Sequence, residues 1–156
     1  MRTVSLLKGL PVIDLANGAK IGEVCDVSIS DGAVKGLLLE KGAIFKKTFM
    51  IPIHSISSFG RDGIMIDNKQ SIKPLKKPSD FSFTHHHRLS GRMMMTNEGE
   101  RLGLLEDVYF LEEVGTIVGY ELSDGFFSDV LEGRRVIKTD EPPAIGKDAI
   151  IINVKM

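Results

Sequence analysis

The sequence predicts an all-β protein built of two tandem small antiparallel β-barrels related by internal duplication. The duplication is visible directly: Asn17-Gly18-Ala19-Lys20-Ile21-Gly22-Glu23-Val24-Cys25-Asp26-Val27 returns 81 residues later as Glu98-Gly99-Glu100-Arg101-Leu102-Gly103-Leu104-Leu105-Glu106-Asp107-Val108. The apolar runs are short, rich in Ile, Val and Leu, and recur roughly every ten residues, which is the spacing of strands and not of helices. Between them stand Asn17-Gly18, Asp31-Gly32 and Asp62-Gly63. Asn-Gly and Asp-Gly accept the positive φ that tight hairpins need, so the connections are antiparallel and not crossovers.

Taken in order, the first copy predicts strands over Leu10 to Leu15, Ile21 to Ile29, Val34 to Leu39, Phe49 to Ile53 and Ile64 to Ile66. The second predicts them over Met93 to Met95, Leu102 to Leu111, Thr116 to Leu122, Arg135 to Ile137 and Ala149 to Val154, with one helical turn over Asp129 to Gly133. The echo persists with slips where loops belong. Val34-Lys35-Gly36 matches Ile117-Val118-Gly119 at a separation of 83, and Gly60 to Asp67 matches Gly146 to Asn153 at 86. Five Gly pairs coincide, where chance superposition at this glycine content gives fewer than about one.

Each copy holds only some 65–70 residues, a size that buries about 60% of its chain surface, so an open sheet would leave exposed edges and closure into a barrel is expected. The halves are also expected to pack on each other. Ser71-Ile72-Lys73-Pro74-Leu75-Lys76-Lys77-Pro78-Ser79-Asp80 has two prolines, three lysines and little periodicity, the marks of a connector. The expected division is residues 1–70, a linker over 71–84, and residues 85–156.

Composition bounds the function. Net charge is -1, pI is near 6.4 and 42% of residues are apolar, so there is material for a core and no global field to attract nucleic acid or an anionic membrane. No apolar stretch approaches the roughly 20 residues that span a bilayer, and no membrane insertion is expected. The opening residues are too short for a signal peptide, so a cytoplasmic location is expected. The one cysteine, Cys25, forms no internal disulfide and reads as a small core residue within a strand.

The order of the Asn-Gly turn, Lys20-Ile21-Gly22-Glu23-Val24-Cys25-Asp26-Val27, Val34-Lys35-Gly36-Leu37-Leu38-Leu39, Ile51-Pro52-Ile53-His54-Ser55-Ile56 and Gly60-Arg61-Asp62-Gly63-Ile64-Met65-Ile66-Asp67 resembles the PRC-barrel family. That family includes the cytoplasmic domain of the photosynthetic reaction-centre H subunit and the C-terminal domain of a ribosome maturation factor. The resemblance spans Leu6 to Asp67 well. Leu89 to Asn153 is more divergent, since Asp140-Glu141-Pro142-Pro143 replaces His54-Ser55-Ile56-Ser57. It implies a compact barrel that docks on other macromolecules, with no catalytic role carried over. The chain shows neither the membrane-spanning helix nor the N-terminal domain of those two relatives.

No Ser-His-Asp, Cys-His or paired-Glu constellation is visible, and Gly18-Ala19-Lys20-Ile21-Gly22 lacks the Gly-Lys-Ser/Thr and following helix of a phosphate loop. No cofactor is expected. Asp26 and Asp107 occupy equivalent repeat positions, which raises an acid–base dyad; the plainer reading is a pair of carboxylates accepting backbone or turn hydrogen bonds. The expected role is a non-enzymatic protein-binding adaptor or assembly module, with a protein partner and a homo-oligomer both open. Departures from the repeat are where new specificity can arise, so the contact residues expected are Phe126, Phe127, Asp140, Glu141, Pro142 and Pro143. Met93-Met94-Met95 offers further apolar surface. An RNA- or ribosome-associated role stands as an alternative, through Arg88, Arg92, Arg101, Arg134 and Arg135 on phosphates, against an acidic balance, no Trp and only two Tyr. Weak metal binding through His85-His86-His87, aided by Asp80 or Asp140, is a further alternative. Three successive residues of an extended chain alternate faces and do not converge on one ion, so no metal site is expected.

Overall fold

In the computed structural model the described residues are 1–42, 44, 47–68, 71–75, 81–84, 88–123, 135–138 and 141–153, with Phe81 and Arg135 described in backbone only. The chain opens with β1 (Arg2–Thr3) and a single helical turn, α1 (Val4–Leu7), whose Val4 and Leu7 are buried. The first barrel follows as β2 (Pro11–Asp14), β3 (Lys20–Ser30), β4 (Ala33–Lys41), β5 (Lys47–Pro52), a 3-10 turn (Ile53–Ser55), β6 (Ile56–Phe59) and β7 (Ile64–Ile66). Between the barrels lie β8 (Lys73–Pro74) and β9 (Phe81–Ser82). The second barrel is β10 (Met93–Thr96), β11 (Arg101–Phe110), β12 (Ile117–Ser123), β13 (Arg135–Lys138), β14 (Ala144–Ile145) and β15 (Ile150–Ile152).

The strand order is β6-β7-β2-β3-β4-β5-β8 in one sheet and β13-β12-β11-β10-β15-β14 in the other. In the first barrel the chain itself links the two sides of the sheet, because β5, next to one end, turns through the 3-10 turn directly into β6 at the other. That corner bends the chain without reversing it. One reversal is therefore missing from an otherwise antiparallel path, and the last strand returns parallel to the first: β7 beside β2, with Val12 opposite Ile64. The second barrel repeats this with β15 parallel to β10, Met94 opposite Ile150. The predicted antiparallel barrels thus each carry one parallel pair. At the β3–β4 hairpin Asp31 and Gly32 have φ of 51° and 73°, both positive as the primed turn requires.

Among several register shifts, one interrupts the alternation near the middle of each long strand. The β3–β4 register shifts between Val24 and Asp26, and the β11–β12 register between Leu105 and Asp107. These are bulges, with Cys25 and Glu106 the extra residues. The bulge corrects the expectation that Cys25 lies in the core: it is displaced to a half-buried position, while Asp26 is turned fully inward.

The connector is held where it is described. β8 pairs with the outer edge of β5, a place where Pro74 costs no ladder bond, and β9 pairs with β3. Both barrels share one buried cluster, which includes Val27, Leu37 and Ile51 from the first and Val108, Tyr120 and Leu122 from the second. At their junction the Phe59 and Phe110 rings meet edge to face, 6.2 Å apart at 70°. Among the described residues no helix is long and apolar enough to cross a membrane.

Candidate functional site

The seam between the barrels is built by reciprocal exchange. Each barrel lends the segment before it to the long strand of the other. β1 adds to β11, with Arg2 opposite Phe110 and Thr3 opposite Tyr109, and β9 adds to β3, with Phe81 opposite Ile29 and Ser82 opposite Ser28. The carboxylates turned inward by the bulges hold these segments. Asp26 accepts the backbone N–H of Phe83 at 3.1 Å, that of Thr84 at 3.0 Å, and the Thr84 hydroxyl at 2.9 Å. Asp107 accepts the backbone N–H of Ser5 at 3.1 Å and the Ser5 hydroxyl. Each also accepts the N–H of the residue after it, Val27 and Val108, at 2.8 Å. The carboxylates are therefore separate structural acceptors, not a dyad. Among the described residues no buried side-chain N or O lacks a hydrogen-bond partner.

Two hairpin tips cross at the centre of this arrangement. Ala33 and Thr116 form an isolated antiparallel bridge. Around it the Val34 N–H donates to the Gly115 carbonyl at 2.7 Å, and the Ile117 N–H to the Gly32 carbonyl at 3.0 Å. Since Gly32 matches Gly115 and Val34 matches Ile117 in the repeat, each bond is the image of the other. A pseudo-twofold axis thus passes between Ala33 and Thr116. A Cβ on Gly115 would sit 2.1 Å from the Val34 carbonyl oxygen, whereas Gly32 meets Pro142 at 3.1 Å.

Beside the seam an open cleft of about 320 Å³ is lined by Ile53, His54, Ile56 and Phe59 of the first barrel and by Glu112 and Glu113 of the second. Glu112 accepts the amino terminus and, at 2.9 Å, the Arg2 guanidinium, which together hold its carboxyl below the usual range. A second hollow of about 380 Å³ on the first barrel includes Lys20, Glu23, Cys25 and Glu40. Burial, reinforced by Glu40 and Asp26, pushes the Cys25 thiol up to about 11, so it is protonated and a poor nucleophile near neutrality. On the wall of the first cleft the Ser57 hydroxyl donates to Asp67 at 2.8 Å. Among the described residues no three His, Cys, Asp or Glu groups are placed to hold a metal ion.

Residues 1–72 match the PRC-barrel domain, and residues 83–155 match it a second time. The chain belongs to the PRC-barrel family. It is also 32% identical, over 98% of its own length and 88% of the relative's, to the protein named "Uncharacterized protein YrrD" of Bacillus subtilis (strain 168).

On this tandem PRC-barrel the contact residues expected from the sequence separate. Phe126, Phe127, Asp140, Arg134, His85 to His87 and the helical turn expected over Asp129 to Gly133 lie outside the described residues. Glu141 is exposed and accepts the Asn153 amide at 2.8 Å. Pro142 faces the Asp31-Gly32 tip of the first barrel, so this divergent turn makes an internal contact. Of the arginines, Arg88 donates to the Ser90 hydroxyl at 2.7 Å, and Arg92 donates to the Arg88 carbonyl at 2.6 Å and the Gly146 carbonyl at 2.9 Å. Arg101 is exposed at the start of β11, opposite Met95, and Arg135 begins β13 on the far side of β12. Arg88 and Arg92 adjoin, then, while Arg135 belongs to another strand.

Sequence reasoning missed Ser5 and Thr84. They fall outside the repeat as aligned at 81, being 79 apart, with three more residues between Thr84 and Leu89 than between Ser5 and Leu7. The available signal was the hydroxyl–apolar–hydroxyl pattern shared by Thr3-Val4-Ser5 and Ser82-Phe83-Thr84.

Proposed function

We propose that this tandem PRC-barrel protein is a non-enzymatic protein-binding adaptor or assembly module that works as one two-barrel body. The observation that supports it is the reciprocal exchange at the seam. Polar groups of a kind that elsewhere do chemistry are committed here to holding two barrels in one relation, and two fixed outer surfaces suit bridging or composite recognition. The junction cleft supplies a surface of mixed character, with the rings and aliphatics of Phe59, Ile53 and Ile56 beside His54 and the exposed Glu113.

The test is affinity capture with the intact chain from its native cells, at moderate and at high salt, with protein and RNA analysed separately. A protein partner that resists high salt and is lost on His54→Glu or Glu113→Lys is the expected result. Ribosomal particles or RNA that leave at high salt, with capture weakened by Arg88→Ala and Arg101→Ala instead, would overturn it in favour of the RNA-associated role.

A further inference from the structure

The near-zero net charge conceals a strong segregation. Residues 41–53 and 69–79 hold seven lysines (41, 46, 47, 69, 73, 76 and 77) and no acid, so of the 20 basic and 21 acidic residues this leaves 13 and 21 elsewhere: +7 here against -8 over the rest of the chain. The described parts of the two stretches, 47–52 and 73–75, are distant in sequence but neighbours in the fold. In the β4–β5 hairpin Lys41 stands opposite Lys47. β8 then runs antiparallel along the outer edge of β5, with Lys73 opposite Met50, and the Leu75 N–H donates to the Thr48 carbonyl at 3.0 Å. Three adjacent strands therefore bring Lys41, Lys47 and Lys73 around one corner of the sheet, all exposed, Lys41 and Lys47 on one face and Lys73, beside Met50, on the other. Lys41 rests its ammonium 5.4 Å above the Phe49 ring.

At the tip of the same hairpin Ile44 is 85% exposed, more than any other large apolar side chain among the described residues. An exposed apolar tip beside three exposed cations matches a bilayer interface, where the apolar group enters the headgroup–acyl boundary and the cations meet anionic headgroups. The residue choice separates this from nucleic acid. Lys41, Lys47 and Lys73 are compact point charges without the planar fork that favours bidentate phosphate recognition. We propose that the sheet corner carrying Lys41, Lys47 and Lys73, with Ile44 at the hairpin tip, is a peripheral docking surface for an anionic lipid bilayer. It goes beyond the adaptor role and places one outer face of the molecule on a membrane.

Flotation of the intact protein with phosphatidylcholine vesicles, with and without phosphatidylserine, tests this. Binding is expected only with phosphatidylserine, weakening as salt rises. Lys41→Glu/Lys47→Glu/Lys73→Glu should lower it at least about tenfold, and Ile44→Asp should lower it severalfold without changing the unfolding midpoint. Because charge reversal on an edge strand can disturb pairing, Lys41→Gln/Lys47→Gln/Lys73→Gln serves as the second variant, and an intermediate loss is expected. Equal binding to both vesicle types, no binding to either, or undiminished binding by folded variants overturns the proposal. So does tighter retention on RNA than on vesicles with no effect of Ile44→Asp, which would assign the corner to nucleic acid.

Discussion

Replacing Asp26 with alanine removes the acceptor of the buried Phe83 amide and of the half-buried Thr84 amide, since Asp26 is fully buried and accepts from both. A buried donor stripped of a charged acceptor loses more than an ordinary hydrogen bond, so Asp26→Ala should cost about 3 kcal/mol in chemical denaturation. Asp26→Asn should cost less, because one carbonyl oxygen still accepts. A second residue-scale effect appears in alkali. Cys25 is held up to about 11 from 9.0 by burial and neighbouring carboxylates, and burial raises Tyr120 from 10.0 to about 12. The unfolded chain releases these protons first. Below pH 9 neither group affects stability; above it, stability should fall as the thiol window from 9 to about 11 is crossed, then further towards 12. Urea midpoints measured across this range check it, and Cys25→Ser should remove the first part of the decline.

At the scale of elements the hairpin tips are the sensitive parts. Gly115 has φ +84° and its missing Cβ would collide with the Val34 carbonyl at 2.1 Å, while Gly91 has φ +85° with nothing within 4 Å. Both alanine variants incur the left-handed strain of about 1 kcal/mol. Only Gly115→Ala should also break the bridge between barrels, for a total of about 3 kcal/mol or more in thermal or urea unfolding. The long strands were legible because their apolar residues persist past two turns of alternation: Ile21 to Ile29 emerges as Lys20–Ser30 and Leu102 to Leu111 as Arg101–Phe110. β1, β8, β9 and β14 are two residues each, too short for periodicity, and they exist because another strand's edge lies beside them. α1 is one turn without an N-cap side-chain bond, formed by burying Val4 and Leu7 and not by local propensity.

For the whole molecule the exchange predicts a single cooperative unit. Both tyrosines, Tyr109 and Tyr120, lie in the second barrel, whereas the backbone signal reports both barrels. Near-ultraviolet and far-ultraviolet dichroism should therefore give coincident transitions, and the van't Hoff enthalpy should equal the calorimetric one, about 110 kcal/mol for 156 residues folding together. Two separated midpoints, or a van't Hoff value near half the calorimetric one, would show barrels that fold independently. The charge pattern also belongs to this scale, because β8 lays one basic stretch against the other along β5.

The sequence by itself determined the duplication, the strands and their hairpins, and through the resemblance of its motifs the PRC-barrel family; these are set by alternation and by turn residues acting over a few neighbours. Only the tertiary structure decided what the two equivalent aspartates do, that Cys25 leaves the core, and that the lysines at 41, 47 and 73 meet at one corner of the sheet. Those outcomes depend on segments 23 to 102 residues apart meeting, as Met50 meets Lys73, Asp26 meets Thr84 and Asp107 meets Ser5. A bulge that turns a carboxylate inward has no periodic trace until its distant donor is in place.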